Sequence, residues 1–437
     1  MNNLSYKLHL MLTYKDALRT RVPLLFGAMM RKSRQRASRA AMSLQGKSKI
    51  EVAFLLTIPG MWKLDYLFKS MEQSGRYHPY IVIFPYSRFK GFSDSELNET
   101  VRRTEDFVKR KGFEYVIPYN ERTGKWDDIK KTLNPDIVFF TTPYRDILPQ
   151  YYYYNFKDRL TCYVPYAFQA MNLYDLDYNQ IAINLYGINF AETSMHLDFA
   201  RKYSRSGGRS FAVSGYPGTE VYLRKDYESQ DVWKKQTVAK KRVIWAPHHT
   251  IETDGGFHVS TFLLFCDDML ALAEEYRDRV QFAFKPHQLL KFKLMQLWGE
   301  QRTNDYYRRW AEMDNCQLEE SGYVDLFIHS DAMIHDSGSF TAEYMFLNKP
   351  VMYLAVNSSP EGQFNEFGKL AYRNHYHGGS VKEIREFIES VVIDGNDSMK
   401  ADRQCFYDSY LVSPDGVMPS QRIMEIIESA INNGLKS

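Results

Sequence analysis

Short runs of β-branched and aromatic residues alternate along this chain with longer segments in which apolar positions recur at helical spacing. The runs at 51–57, 80–84, 115–118, 136–140, 160–164 and 210–213 read as strands, with helices over 62–73 and 96–111 between them. After the polar stretch 222–241 the alternation restarts, with strands at 242–246, 280–284, 332–334 and 350–354. Helices fall at 261–277, 341–347, 381–392 and 420–431, and 326–330 closes another. Strands separated by helices pair in parallel through crossovers, so the pattern predicts an α/β protein with two doubly wound, Rossmann-type domains facing a cleft. No internal repeat or low-complexity tract interrupts it.

A chain of 437 residues with 44% hydrophobic and 25% charged residues has the mixture of a folded, multidomain protein, which excludes wholesale disorder and a coiled coil. Aromatics reach 15%, a surplus that suits broad amphipathic surfaces and clefts. No apolar run is long enough to cross a membrane as a helix. The net charge of +3 hides an asymmetry: residues 1–49 carry +10 and the remainder −7. Cys162, Cys266, Cys316 and Cys405 are scattered, as in a chain with free thiols in a reducing compartment. The N-terminus lacks the pattern of a secretory signal.

Three strand-end loops of the second half carry the chemistry. In the segment 330–350 a strand ends at Ile334, small residues follow at Ser337, Gly338 and Ser339, and a helix starts near Thr341. Exposed N–H groups and the helix dipole would favour a diphosphate there, with Asp336 in the same turn and Glu343 within reach of a ribose or polyol hydroxyl. The plainer alternative is that Ser339 or Thr341 caps the helix. His248 and His249 follow the strand 242–246 and suit either phosphate oxygens or solvent. Lys285 and His287 follow the strand 280–284, where His287 is placed to protonate or hydrogen-bond a leaving phosphate. His248, His249 and His258 lie close in sequence without zinc-type spacing. Asp175-Leu-Asp177 reads as a chance pair, so no protein-held metal is expected. No Gly-x-x-x-x-Gly-Lys-Ser/Thr loop is present, which excludes a P-loop nucleotidase.

Taken together, Ser330-Asp331, Asp336-Ser337-Gly338-Ser339, Glu343, Asn348-Lys349-Pro350, Ala246-Pro247 and Ser214-Gly215-Tyr216-Pro217 resemble the CDP-glycerol glycerophosphotransferase family, the teichoic-acid-type polymerases and primases of GT-B fold. The resemblance spans roughly residues 130–430 and is strongest over 242–354. It implies that an acceptor hydroxyl attacks the polyol-side phosphorus of a CDP-polyol and CMP departs. His287 and His249 would then be catalytic, and His248, Lys285, Asp336, Ser337, Gly338, Ser339 and Glu343 would bind the donor. No cofactor is obligatory, and Mg2+ would accompany the donor diphosphate if any ion does. The sequence departs from the family at His248-His249-Thr250, where an Arg is usual, and at Pro286-His287, which replaces His-Pro. The family's acceptor-side His-Gly is represented by the segment 163–168, which has no His. Tyr163 and Tyr166 therefore stand on the acceptor side, with His196 or Asp175 as substitute bases.

The expected division is a basic membrane-associating arm at 1–49, an acceptor-side domain at 50–222 and a donor domain at 223–437. In the arm, leucines interleave with Lys7, Lys15, Arg19 and Arg21, ahead of the cluster from Arg31 to Arg39. An anionic membrane surface fits better than nucleic acid, because the leucines have no use on a nucleic acid. The tyrosine run at 151–154 reads as buried packing or the lining of an acceptor groove. The resulting expectation is a peripheral transferase on the cytoplasmic side of the cell membrane, building a teichoic-acid-like or capsular polymer on a lipid-linked or polysaccharide acceptor. A GT-B glycosyltransferase using a nucleotide sugar and a catalytically silent scaffold are the alternatives.

Overall fold

The computed structural model describes residues 21–86, 94–144, 147–251, 259–320, 322–355 and 360–435. By its contacts the chain forms two units. The first comprises the described part of Met1–Ala167 with Leu173–Glu220 and Ser413–Ser437, and the second comprises Phe168–Asn172 and Val221–Val412.

The first unit is built on β1 (Ile50–Leu56), β2 (Tyr77–Ile83), β3 (Tyr115–Val116), the small hairpin β4 (Tyr119–Asn120) and β5 (Lys125–Trp126), β6 (Ile137–Phe140), β7 (Leu160–Tyr163), β8 (Ile188–Ala191) and β9 (Phe211–Val213). Seven strands form one parallel sheet in the order β3-β2-β1-β6-β7-β8-β9. Helices cover both faces, so β6 and β7 are buried along their whole length and read as unbroken apolar runs.

Two terminal helices complete this unit. Pro23–Met42 begins with proline in its first turn, where a missing N–H costs nothing. Phe26, Ala37 and Ala41 are buried, and the helix is tied down by Ser33 Oγ donating to Leu185 O (2.7 Å) and Arg34 to Gly187 O (2.6 Å). Residues 23–42 are thus an integral element of the unit, whereas the charge pattern suggested a detached arm. The remaining arm leucines and lysines, Leu8 to Arg19, lie outside the described residues. The last helix, Pro419–Asn433, buries Ile423, Ile427 and Ile431 in the first unit's core, each worth about 1.5–3 kcal/mol of transfer free energy. Its N-terminal Ser420 is held by Glu220, which accepts from both the N–H and the hydroxyl (2.7 Å each). A domain running unbroken from 223 to 437 is therefore corrected: the chain returns at its end to the first unit, because that is where the apolar stripe of this helix is covered.

The second unit holds β10 (Lys241–Ala246), β11 (Val280–Phe284), β12 (Cys316–Leu318), β13 (Ala332–His335), β14 (Val351–Leu354) and β15 (Tyr376–Gly378), all parallel, in the order β12-β11-β10-β13-β14-β15. Its core is aromatic. Trp245 stacks on Phe262 (5.6 Å) and Phe284 (5.0 Å), and Phe284 on Trp310 (5.2 Å). Tyr151, Tyr152 and Tyr153 are likewise buried in the first unit. The aromatic surplus therefore fills interiors more than it lines surfaces.

In each sheet the strand order reverses beside the first strand, between β1 and β6 and between β10 and β13. Loops diverge at such a switch point and leave a crevice at the carboxyl ends of the strands, where ligands of open α/β sheets bind. In the second unit these loops start at Pro247 and Asp336.

A short segment from the first half of the sequence packs within the second unit. Asn365 donates through its N–H to Ala170 O (3.0 Å) and through Nδ2 to Gln169 O (2.8 Å), and Asn172 N–H donates to Gln363 O (2.9 Å). Gly368 allows this approach, since a Cβ there would lie 2.0 Å from Ala170 O. Gly368→Ala is expected to displace 168–172 and to destabilise the protein by about 1–3 kcal/mol, the usual cost of overpacking. Denaturant unfolding measures this, and an unchanged midpoint would contradict the packing role.

Candidate functional site

The loops after β10, β11 and β13 are fastened to one another through a single carboxylate. Asp336 Oδ1 accepts from His248 N–H (2.5 Å), while Oδ2 accepts from Thr261 N–H (2.6 Å) and Thr261 Oγ1 (2.8 Å). Ser260 Oγ donates to His248 O (2.8 Å), and His287 N–H donates to Pro247 O (3.0 Å), bringing the β11 loop into the same assembly. Asp336 is 1% exposed. Burial pushes its carboxyl up to about 6, against the pull of the hydrogen bonds from Thr261 and His248. Its expected contact with the donor is therefore corrected to a positioning role, because both oxygens are occupied by the chain itself.

What this fastening presents is a trio of imidazoles. The rings of His248, His249 and His287 lie 4.3–5.0 Å apart between centroids, and one nitrogen of each falls within 4.8 Å of the others. Burial holds His248 and His287 well below the usual histidine range, and the neighbouring histidines and Lys293 add to this in both. His248 and His287 are thus neutral near pH 7. His287 Nδ1 accepts from Leu289 N–H (3.1 Å), so its proton sits on Nε2 and it presents a hydrogen-bond donor. A metal-bound histidine normally donates its second N–H to a neighbour. His287 has the reverse arrangement, and a metal on Nε2 would require the Leu289 bond to be given up. The trio suits phosphate oxygens better than a cation. Sequence spacing missed the cluster, since His287 reaches His248 and His249 only because β10 and β11 are adjacent. His258, the third histidine of the sequence grouping, lies outside the described residues.

The turn after β13 departs from expectation. Helix Phe340–Glu343 is a single turn that continues as the 3-10 turn Tyr344–Leu347, so it offers a much weaker dipole than a full helix. Ser339 makes no side-chain cap, and the first N–H groups of the turn have no partner within the helix. Gly338 lets the flexible Met171 side chain pack close, for a Cβ there would meet Met171 Sδ at 2.7 Å. Ser337 N–H donates to His335 Nδ1 (3.1 Å), and Ser337 O accepts from Thr341 Oγ1 (3.0 Å). Glu343 is buried and its Oε2 accepts from Tyr323 OH, so it lies beneath the turn and not on its surface. Lys285, on the β11 loop, is nearly buried.

Other residues of the sequence pattern hold the fold. Lys349 Nζ donates to Phe327 O (3.1 Å), Ile328 O (2.5 Å) and Ser330 O (2.6 Å), capping helix Val324–Ile328, and burial lowers its pKa to about 8. Asp331 Oδ2 accepts from Arg242 N–H (2.8 Å).

In the first unit, Tyr163 is buried and stacked on Tyr186 (5.7 Å), a core position that corrects its assignment to an acceptor surface. Tyr166 is half-buried against the same unit's core. His196 is fully buried, with Nδ1 on Thr193 Oγ1 (2.7 Å), and is no substitute base. Asp175 is exposed and accepts from Asn179 Nδ2 (3.1 Å). Asp177, read from the sequence as half of a chance pair with Asp175, is half-buried among Tyr163, Tyr178 and Glu192, with burial pushing its carboxyl up to about 8. The Asp-x-Asp spacing was visible, but strand β8, which brings up Glu192, was not.

Asp336→Ala strands two buried N–H donors, those of His248 and Thr261, at about 1–3 kcal/mol each. Unfolding of the variant is expected at clearly lower denaturant, with Asp336→Asn losing less; wild-type stability in both would show that the carboxylate fastens nothing.

The family described as CDP-glycerol:poly(glycerophosphate) glycerophosphotransferase matches residues 189–429, more than half of the chain. No curated protein sequence matches it. Among solved structures, the wall teichoic acid polymerase TagF is similar at 14% identity and TM-score 0.57, over 97% of this chain and 99% of that one. The MnaA–UDP structure from S. aureus is similar at 15% identity and TM-score 0.53, over 88% and 97%. UDP-GlcNAc 2-epimerase from Neisseria meningitidis bound to UDP-GlcNAc is similar at 13% identity and TM-score 0.52, over 88% and 100%. At these identities the likeness is one of fold, and it agrees with the GT-B-like class expected from the strand pattern.

Proposed function

The chain belongs to the CDP-glycerol:poly(glycerophosphate) glycerophosphotransferase family, and from that premise we propose that it moves glycerol phosphate from CDP-glycerol to a hydroxyl of a lipid-linked or polysaccharide acceptor, extending a teichoic-acid-like or capsular polymer. The observation that carries the donor assignment is the imidazole trio at the switch point of the second unit, locked by Asp336 beside the Ser337–Ser339 turn. The acceptor oxygen bonds to the glycerol-side phosphorus as the bond from that phosphorus to the CMP oxygen breaks. Placement and charge neutralisation dominate such a transfer. His287 Nε2–H, His249 and the Ser339 turn hold the diphosphate, with His248 and Lys285 adjoining. Mg2+, where present, travels with the donor. The fold neighbours MnaA and UDP-GlcNAc 2-epimerase carry UDP or UDP-GlcNAc, which supports a nucleoside diphosphate as the ligand class and keeps a nucleotide-sugar transferase as the second reading.

Among the described residues no helix is long and apolar enough to cross a membrane. The basic N-terminal segment supports peripheral attachment to the cytoplasmic face, where a lipid-linked acceptor would be met.

CMP and CDP-glycerol should raise the thermal unfolding temperature more than UMP or UDP-sugars, with and without Mg2+, and Ser339→Ala and His287→Ala should abolish the shift and depress CMP release at least tenfold. A stronger uridine response would favour the nucleotide-sugar reading.

A further inference from the structure

Strand β13 is apolar from Ala332 to Ile334 and then ends on a histidine. His335 is fully buried, and in register it lies between Ala246 of β10 and Tyr353 of β14. Burying an imidazole costs free energy that an apolar side chain does not, unless hydrogen bonds offset it. The Nδ1 atom of His335 accepts the N–H of Ser337 (3.1 Å), two residues further along the chain. An acceptor at Nδ1 puts the ring proton on Nε2.

The second nitrogen faces a complementary neighbour. His375 is 1% exposed, and its ring lies 5.4 Å from that of His335 between centroids. Its Nδ1–H donates to Ala371 O (2.8 Å), which leaves a lone pair on Nε2. One ring thus offers an N–H and the other a lone pair, and among the described residues neither Nε2 is hydrogen-bonded to any third group. One water between them would accept from His335 and donate to His375. Burial pushes the pKa of His335 down to about 3 and that of His375 well below the usual histidine range, so both rings are neutral near pH 7.

The bond to Ser337 gains its importance from its surroundings. Asp336 O accepts from Tyr353 OH (3.3 Å), so the peptide joining Asp336 to Ser337 is held at its carbonyl by Tyr353 and at its N–H by His335. Ser337 O is held in turn by Thr341 Oγ1 (3.0 Å). Without His335 the Ser337 N–H would be a buried donor lacking an acceptor, and the turn would relieve this by rotating that peptide, carrying Gly338 and Ser339 with it.

We infer that His335 is a positioning residue for the donor diphosphate: its Nδ1, kept an acceptor by the pairing of Nε2 with His375, fixes the peptide that aims the Ser337–Ser339 turn. This rests on the donor reading given above and adds to it a residue that touches no ligand.

Three substitutions separate the ring nitrogens from the ring's bulk. In His335→Asn the amide oxygen takes over from Nδ1, since asparagine side chains accept from the N–H two residues on. His335→Gln extends its amide towards the place of Nε2, and His335→Leu keeps bulk alone. Calorimetric titration of the full chain with CDP-glycerol should find affinity within about threefold of wild type in His335→Asn and roughly tenfold weaker in the other two, the scale of one lost hydrogen bond. A packing role predicts the opposite order, because Asn leaves the largest void. If His335→Asn binds no better than His335→Leu, or all three bind like wild type, the positioning role is overturned; with His287→Ala still failing to bind, the donor reading stands. If His287→Ala binds CDP-glycerol normally, the donor reading falls and the inference with it. Should the variants fail to fold, histidine-selective nitrogen NMR of the wild-type chain decides. Opposite tautomers are expected, with the proton on Nε2 in His335 and on Nδ1 in His375, and the His335 signals should move as CDP-glycerol saturates. A proton on Nδ1 of His335, or His335 signals that ignore the nucleotide, would overturn the inference.

Discussion

The carboxylate of Asp336 is the constraint on which the second unit's functional face depends. Its two oxygens accept three hydrogen bonds from segments separated by 75 and 88 residues in sequence, ending at Thr261 and His248. A buried carboxylate is costly to desolvate, and these bonds from backbone and hydroxyl recover much of that cost. One group thereby sets where the loops after β10 and β13 stand relative to each other. The hydrogen bond from His287 to Pro247 extends the arrangement to the loop after β11. His248 and His287 then meet without the repulsion that two charged rings would suffer, because the same burial that costs Asp336 keeps them unprotonated. Rigidity and electrostatics at this site share one cause.

The doubly wound order explains why these loops were available. Reversal of the strand order beside β10 separates the loop after β10 from that after β13 and leaves their backbone groups facing a common space. Aromatic stacking beneath them, from Trp245 to Phe284 and Trp310, gives the strands an unyielding floor. The close approach of Met171 to Gly338 makes the segment 168–172 part of the same neighbourhood. Substitutions that disturb this packing act on the site without touching a ligand.

Much of this was legible in the sequence, and the misses have physical causes. Parallel strands buried on both faces leave apolar runs, so 51–57, 136–140, 160–164, 242–246 and 280–284 were found close to their true bounds. Strands β12 and β15 escaped because three residues such as Cys316-Gln-Leu318 or Tyr376-His-Gly378 carry no period. The histidines were identified singly, but the trio is a product of strand adjacency, which no linear spacing encodes. Glycine and acid at 338 and 343 were read as ligand-facing. Whether such residues meet a ligand or the chain itself is decided by packing, here by Met171 and Tyr323. The basic helix was recognised by its charge, while its buried Phe26, Ala37 and Ala41 were too few to announce a core element.

The central claim is that the imidazole trio, with neutral His287 donating from Nε2, holds the donor diphosphate. Histidine-selective nitrogen NMR of the full chain, titrated with CDP-glycerol, addresses it directly. The account predicts that His287 shows the Nε2–H tautomer near pH 7 and that its Nε2 resonance, with those of His248 and His249, moves as the nucleotide saturates. A charged His287, or histidine signals that stay fixed while CDP-glycerol binds elsewhere, would contradict it.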